Sequence, residues 1–250
     1  MRNSCRRVFV LAARNLKELV REPLGLVFML GLPLVMEVLF YYIFHNMTAQ
    51  FEMRYLATGI VGFAQSFLTL FTGILLALDR SSSFLTRLYV SPAKSYEFIL
   101  GYTVALLPFS LVQSVLFFVV GGIIDPTFWS VGMIWGVLMS VVTSVMYIAL
   151  GLLFGSVCNE RAIGGVSSIV ITGQSILSGM WFPIEGLPKG ILVVMRVLPF
   201  KNVTMALQNV VNGTADPFAD VLAPFLIVLA YTVVVQVVAI LAFRRKMKAQ

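Results

Sequence analysis

Charge is what this chain has least of. Only 12% of its 250 residues are Asp, Glu, Lys or Arg, against about 25% in a soluble domain, and 59% are hydrophobic. Such a composition excludes a surface facing water on all sides, so the bilayer is the solvent. Cysteine occurs twice, at Cys5 and Cys158, which excludes a disulfide scaffold. The single histidine, His45, has no Cys or His at ligand spacing, so no metal site is expected. The sequence lacks G-x-x-x-x-G-K-[ST], so nothing in it would cradle ATP phosphates. Paired acids and His-containing constellations are also missing from the apolar runs, which argues against an intramembrane hydrolase. No catalytic residue, metal or cofactor is expected on this chain.

What is present is a series of long apolar runs. They place membrane spans at about 24–44, 55–78, 98–124, 129–157, 162–183 and 221–243, each of a length that crosses the hydrocarbon core. The fold class is therefore all-α integral membrane, with residues 1–250 as a single transmembrane domain of six helices. The run at 24–44 is longer than a signal core and no small-residue cleavage site follows it, so it is read as a retained span. Between the last two spans, residues 185–215 carry Pro188 and Pro199 and two short apolar pieces, Ile191 to Leu198 and Val203 to Val211. These are too short to cross and are expected to be external half-helices.

Six spans put both termini on one side. That side holds Arg2, Arg6, Arg7, Arg14, Lys17, Arg21, Arg80, Arg87, Lys94, Arg161, Arg244, Arg245, Lys246 and Lys248, which makes 14 of the 18 cations. Arg54, Lys189, Arg196 and Lys201 fall on the other side, so the positive-inside rule predicts cytoplasmic termini. The net charge of +7 is thus an orientation signal and no nucleic-acid partner is expected. Residues 2–22 read as an amphipathic interface helix. Val8, Ala12, Leu16, Leu19 and Val20 share one sector, and Arg7, Arg14, Lys17 and Arg21 lie opposite, toward headgroups and water.

Glu37 is the one acid inside a span, on the helical face of Pro33 and Tyr41. It is either a functional acid or a hydrogen-bonded packing residue beside the carbonyl that Pro33 frees. The fourth span repeats small residues at Gly132, Gly136, Ser140 and Ser144, then Gly151 and Gly155, a ladder that serves either close helix packing or a substrate groove. On the fifth, Gly165, Ser168, Thr172, Ser175 and Gly179 share a face with Gln174 and Ser178 beside it. That face either lines a pathway or glues two helices. Glu37, Ser168, Thr172, Gln174, Ser175 and Ser178 are the pathway candidates. Residues 81–92 form a short amphipathic helix capped by serines, with Phe84, Leu85, Leu88 and Tyr89 as its stripe and Ser91-Pro92 as its stop. It rests on lipid or presents its stripe to a partner.

This order of parts resembles the permease subunit of the type-2 ABC exporter family. The most specific similarity is Leu177-Ser178-Gly179-Met180-Trp181-Phe182-Pro183-Ile184-Glu185-Gly186-Leu187-Pro188 with Leu198-Pro199-Phe200; a shorter one is Leu88-Tyr89-Val90-Ser91-Pro92. The resemblance implies a pair of permeases, a second identical or related copy facing the first, each docked on a separate ABC ATP-binding subunit that holds ATP and Mg. It implies that Phe84, Leu85, Arg87, Leu88, Tyr89, Ser91 and Pro92 form a coupling helix. It also implies that the segment with Gly179, Pro183, Pro188 and Pro199 forms an external gate. The chain departs from the family in carrying Asp79-Arg80 and three serines before that helix, where an acidic, glycine-containing run is common.

The expectation is a multi-pass protein of the plasma membrane that exports an amphipathic or lipid-like compound, a drug, lipid, peptide or glycolipid. Two other readings compete: an ion-coupled secondary transporter using Glu37, and a non-transporting membrane immunity or binding protein.

Overall fold

A computed structural model of the chain describes residues 2–81, 95–184 and 186–248. The expected coupling helix at 81–92, with Phe84, Leu85, Arg87, Leu88, Tyr89, Ser91 and Pro92, lies outside these residues apart from Ser81. No strand occurs among the described residues. The helices are α1 (Arg2–Val20), α2 (Pro23–Phe44), α3 (Met53–Ser81), α4 (Ser95–Ile124), α5 (Gly132–Val157), α6 (Glu160–Leu177), α7 (Lys189–Val197), α8 (Pro199–Asn212) and α9 (Ala223–Lys248). Five of them, α2, α3, α4, α5 and α9, are long and apolar enough to cross a membrane.

The fifth predicted span is shorter than expected. Its helix, α6, stops at Leu177, and 18 residues reach about 27 Å, just under the hydrocarbon thickness of about 30 Å. The stop is local chemistry. Gly179 takes a φ of +75°, which a helix cannot continue through, and the Met180 amide donates to the Ser178 hydroxyl at 3.3 Å. Residues 178–183 are therefore a turn. α6 nevertheless runs antiparallel along α3: a Cβ on Gly73 would lie 2.9 Å from Ile163, one on Gly62 3.0 Å from the Gln174 amide, and one on Gly59 3.0 Å from Met180.

α7 and α8 meet at Leu198-Pro199 at an angle of 78°. Pro199 opens α8 at the position where its missing N–H costs nothing. The Phe200 ring lies against Gly173, and α8 climbs from the level of Gly62 to Tyr55 and Arg54, whose carbonyls accept from Gln208 and Asn212. Since residues 178–180 already sit at the level of Gly59, the pair dips into the bundle and leaves at the same end. This hairpin end lies opposite the end that holds α1, where Arg7 bonds Glu97 and the Phe98 and Phe243 rings stand 6.1 Å apart. Both chain ends thus lie at the α1 end.

α3 is the axis of the bundle. In its most apolar stretch 89% of residues are buried, against 50% for α4 and α5, 22% for α2 and 17% for α9. Lipid offers little hydrophobic drive for helix association, so close backbone approach and hydrogen bonds do the holding. The glycine ladder on α5 is the packing device that its spacing suggests. A Cβ on Gly151 would lie 2.5 Å from the Thr69 carbonyl oxygen and one on Gly155 2.8 Å from that of Gly73. Along the same seam Gln65 donates to the Ser140 carbonyl at 2.8 Å, Thr143 donates to Gln65 Oε1 at 3.3 Å, and Thr69 donates to the Tyr147 carbonyl at 3.0 Å.

α2 joins through a repaired defect. Pro33 cannot donate to the Met29 carbonyl, and the helix passes through a π turn at Val27–Gly31. Gln113 Nε2 of α4 donates to that carbonyl at 3.1 Å and to Ala64 of α3 at 3.2 Å, so one amide ties three helices together.

Gly151→Ala tests the seam. Overpacking against a carbonyl should lower stability by about 1 to 3 kcal/mol, read as a fall in the thermal unfolding midpoint of the solubilised protein. Gly164→Ala, where nothing lies within 4 Å of the new Cβ, should leave the midpoint unchanged or slightly higher.

Candidate coupling site and transport path

At the α1 end, the few charges in the chain are drawn together. α1 buries Ala12, Asn15 and Leu19 and packs along α4, where Gly101 makes room for the Leu11 side chain. Arg7 Nη1 donates to Glu97 Oε2 at 3.0 Å, and the Ser4 hydroxyl donates to the other carboxylate oxygen. Two turns along, Arg14 holds Asp79 with both terminal nitrogens, Nη2 reaching Oδ1 at 2.7 Å, while the Tyr102 hydroxyl donates to the same carboxylate. Partial burial works against the Arg14 charge, but the Asp79 hydrogen bond and charge outweigh it and raise its pKa. Glu97 and Asp79 are 1% and 2% exposed. At this depth a carboxylate without its cation is strongly destabilising, so α1 is fastened to the bundle.

This arrangement corrects the expectation that the whole basic face of α1 turns to headgroups. Arg7 and Arg14 turn inward to buried acids; Lys17 and Arg21 stay exposed. Asp79 and Glu97 are also the last acid before residues 82–94 and the first after them. A single helix therefore holds both roots of the segment expected to form the coupling helix. Arg80 adds a third tie by donating to the Gly155 and Cys158 carbonyls at the end of α5. Sequence reasoning missed Asp79, Glu97 and Tyr102 as site residues. The available signal was two acids flanking a loop in a chain almost without acids.

The structure divides the pathway candidates. Gln174 is fully buried: Tyr147 donates to its Oε1 at 2.6 Å and its Nε2 donates to Thr204 at 3.1 Å, so it ties α5 and α6 to α8 and lines no open face. Ser178 is buried in the turn after α6. Glu37 is enclosed by α2, α3 and α4, beside Met53 and Gly121, with neither carboxyl oxygen hydrogen-bonded among the described residues. Ser175 is half-buried and accepts from the Trp181 indole N–H at 2.9 Å. Ser168 and Thr172 remain exposed. With Ile169, Gly173, Ile176 and Leu177 they line an open groove of about 460 Å³ that carries no charged side chain.

The hairpin end is closed by aromatic rings. Trp181 stands 4.9 Å from Phe40 and 6.3 Å from both Phe51 and Phe63, ring centre to ring centre, joining the turn after α6 to α2 and α3. Among the gate candidates, Gly179 makes the turn, Pro188 caps α7, Pro199 sets the bend, and Pro183 lies in the irregular stretch between α6 and α7.

The tie between α1 and α3 should appear in a double-mutant cycle. Arg14→Ala alone leaves Asp79 buried without its cation and should cost more stability than Arg14→Ala together with Asp79→Ala. The expected coupling energy is about 1 to 3 kcal/mol from thermal unfolding.

No curated protein matches the chain significantly. Residues 6–212 match the family described as ABC-2 type transporter, a stretch that runs from α1 through α8 and so contains the tied loop roots, the α6 groove and the bent hairpin. The chain belongs to the ABC-2 type transporter family, as a multi-pass membrane domain with the role of a transport permease.

Proposed function

We propose that this permease is one half of an ATP-driven exporter in the plasma membrane, with the α1 end in the cytoplasm. The observation that carries this reading is the fastening of α1 to both roots of residues 82–94 through the Arg14–Asp79 and Arg7–Glu97 pairs. A separate ABC ATP-binding subunit, holding ATP and Mg, docks on the helix formed by Phe84, Leu85, Arg87, Leu88, Tyr89, Ser91 and Pro92. Closure of that subunit pushes the loop. Because its roots are pinned to α1 and through Arg80 to α5, the push moves helices together instead of flexing the loop alone. The permease then exchanges inward-facing and outward-facing arrangements, a population shift driven by differential binding of ATP.

The path runs along α6. Gly164, Gly165, Ser168 and Thr172 are exposed along α6, and small and hydroxylated residues suit a protein surface or a wetted groove better than acyl chains. A second permease, identical or related, facing this stripe encloses the groove between the two copies. Its uncharged lining fits an amphipathic or lipid-like compound. The α7–α8 hairpin, held by the Tyr147–Gln174–Thr204 chain of hydrogen bonds, forms the outer gate with Gly179, Pro183, Pro188 and Pro199.

Leu88→Glu or Tyr89→Glu is expected to insert and fold normally while export falls by at least about tenfold and the partner's ATP hydrolysis is uncoupled from it. Transport assays with the reconstituted permease and ATPase read both quantities. Export and partner association at the wild-type level in these variants contradict the docking assignment.

A further inference from the structure

We infer that α7 is a binding surface for anionic phospholipid headgroups in the leaflet at the hairpin end. Residues 185–215 contain three cations, Lys189, Arg196 and Lys201, and one acid, Glu185, which lies outside the described residues. That segment thus holds three of the four cations assigned to the end opposite α1. Lys189 and Arg196 are seven residues apart, which sets them on one face about 10.5 Å from each other along the axis. Both are exposed, and neither side chain has a hydrogen-bond or ion-pair partner among the described residues. The fourth cation at this end, Arg54, differs in pairing with Glu52 at 3.5 Å.

The surroundings of the two free cations favour a lipid over a free anion. Leu192 and Val193 lie between them and complete a shallow groove of about 240 Å³. Ile191, Val194 and Val197 are exposed around the rest of the helix, while Met195, 1% exposed, anchors it to the bundle. A short helix that presents unpaired cations beside bare aliphatic side chains matches the chemistry of the interface. Phosphate meets the ammonium and guanidinium, and the upper acyl chain covers the aliphatics. Inorganic phosphate would use the charges and leave the apolar wall in water. Lipid capture at α7 does not depend on what the permease transports or on which subunit drives it.

The test is native mass spectrometry of the intact, detergent-solubilised chain titrated with phosphatidylglycerol or phosphatidylcholine. Wild type should retain phosphatidylglycerol in preference to phosphatidylcholine. K189Q/R196Q should weaken phosphatidylglycerol binding about 30-fold, and K189Q or R196Q alone about 5-fold. K189R/R196K and R54Q should bind like wild type. The single variants decide the matter if the double variant loses its monodisperse size-exclusion profile. Equal retention in the glutamine variants, equal binding of phosphatidylcholine, or displacement by millimolar inorganic phosphate overturns the proposal. So does a wild-type dimer that dissociates in the glutamine variants, because a second copy then occupies the face.

Discussion

The close approach of α5 to α3 is the contact on which the rest of the bundle depends. Glycines at positions 151 and 155 bring one backbone against the other at distances that no side chain tolerates. That proximity lets Gln65, Thr69 and Thr143 reach partners across the seam. In hydrocarbon these polar groups have nowhere else to turn, so the seam is specific as well as tight. With α3 enclosed, the outward faces of α2 and α9 are left to lipid, and the stripe on α6 is left for a partner or a path.

Charge follows the same logic at the ends. The two acids that flank residues 82–94 are buried only because α1 brings an arginine to each, and Tyr102 shares the larger cluster. α1 is therefore part of the bundle. At the opposite end the hairpin is held by hydrogen bonds and rings, Tyr147 through Gln174 to Thr204 and Trp181 among phenylalanines, with no buried ion pair among the described residues. One end is fastened electrostatically and the other by neutral contacts, a division that suits a driven end and a yielding gate.

Much of this was legible in the sequence. The apolar runs gave the long helices because length and hydropathy are summed properties, and of the two uses open to the glycine ladder on α5, packing or a substrate groove, the fold shows packing. Residues 185–215 were readable as two short pieces because Pro188 and Pro199 bracket apolar stretches that are each too short to cross. The fifth helix ends about six residues before its apolar run does, since hydropathy does not register the positive φ that Gly179 adopts. The inward turn of Arg7 and Arg14 was hidden because helical periodicity assigns a face and not its neighbour. Asp79 and Glu97 lie far from α1 in the chain, and only the tertiary fold pairs them. Gln174 looked like a pathway residue for a related reason: an amide on a polar face reads the same whether it meets water or Tyr147.

Drive of this permease from its α1 end by a separate ATP-binding subunit requires the two chains to form a stable complex. Affinity purification of the tagged chain from its native membrane, followed by mass-spectrometric identification and counting of the copurifying chains, tests it directly. An ATP-binding subunit in equal number with the permease is the expected result. A chain that purifies alone and transports in liposomes on an ion gradient without ATP would contradict it.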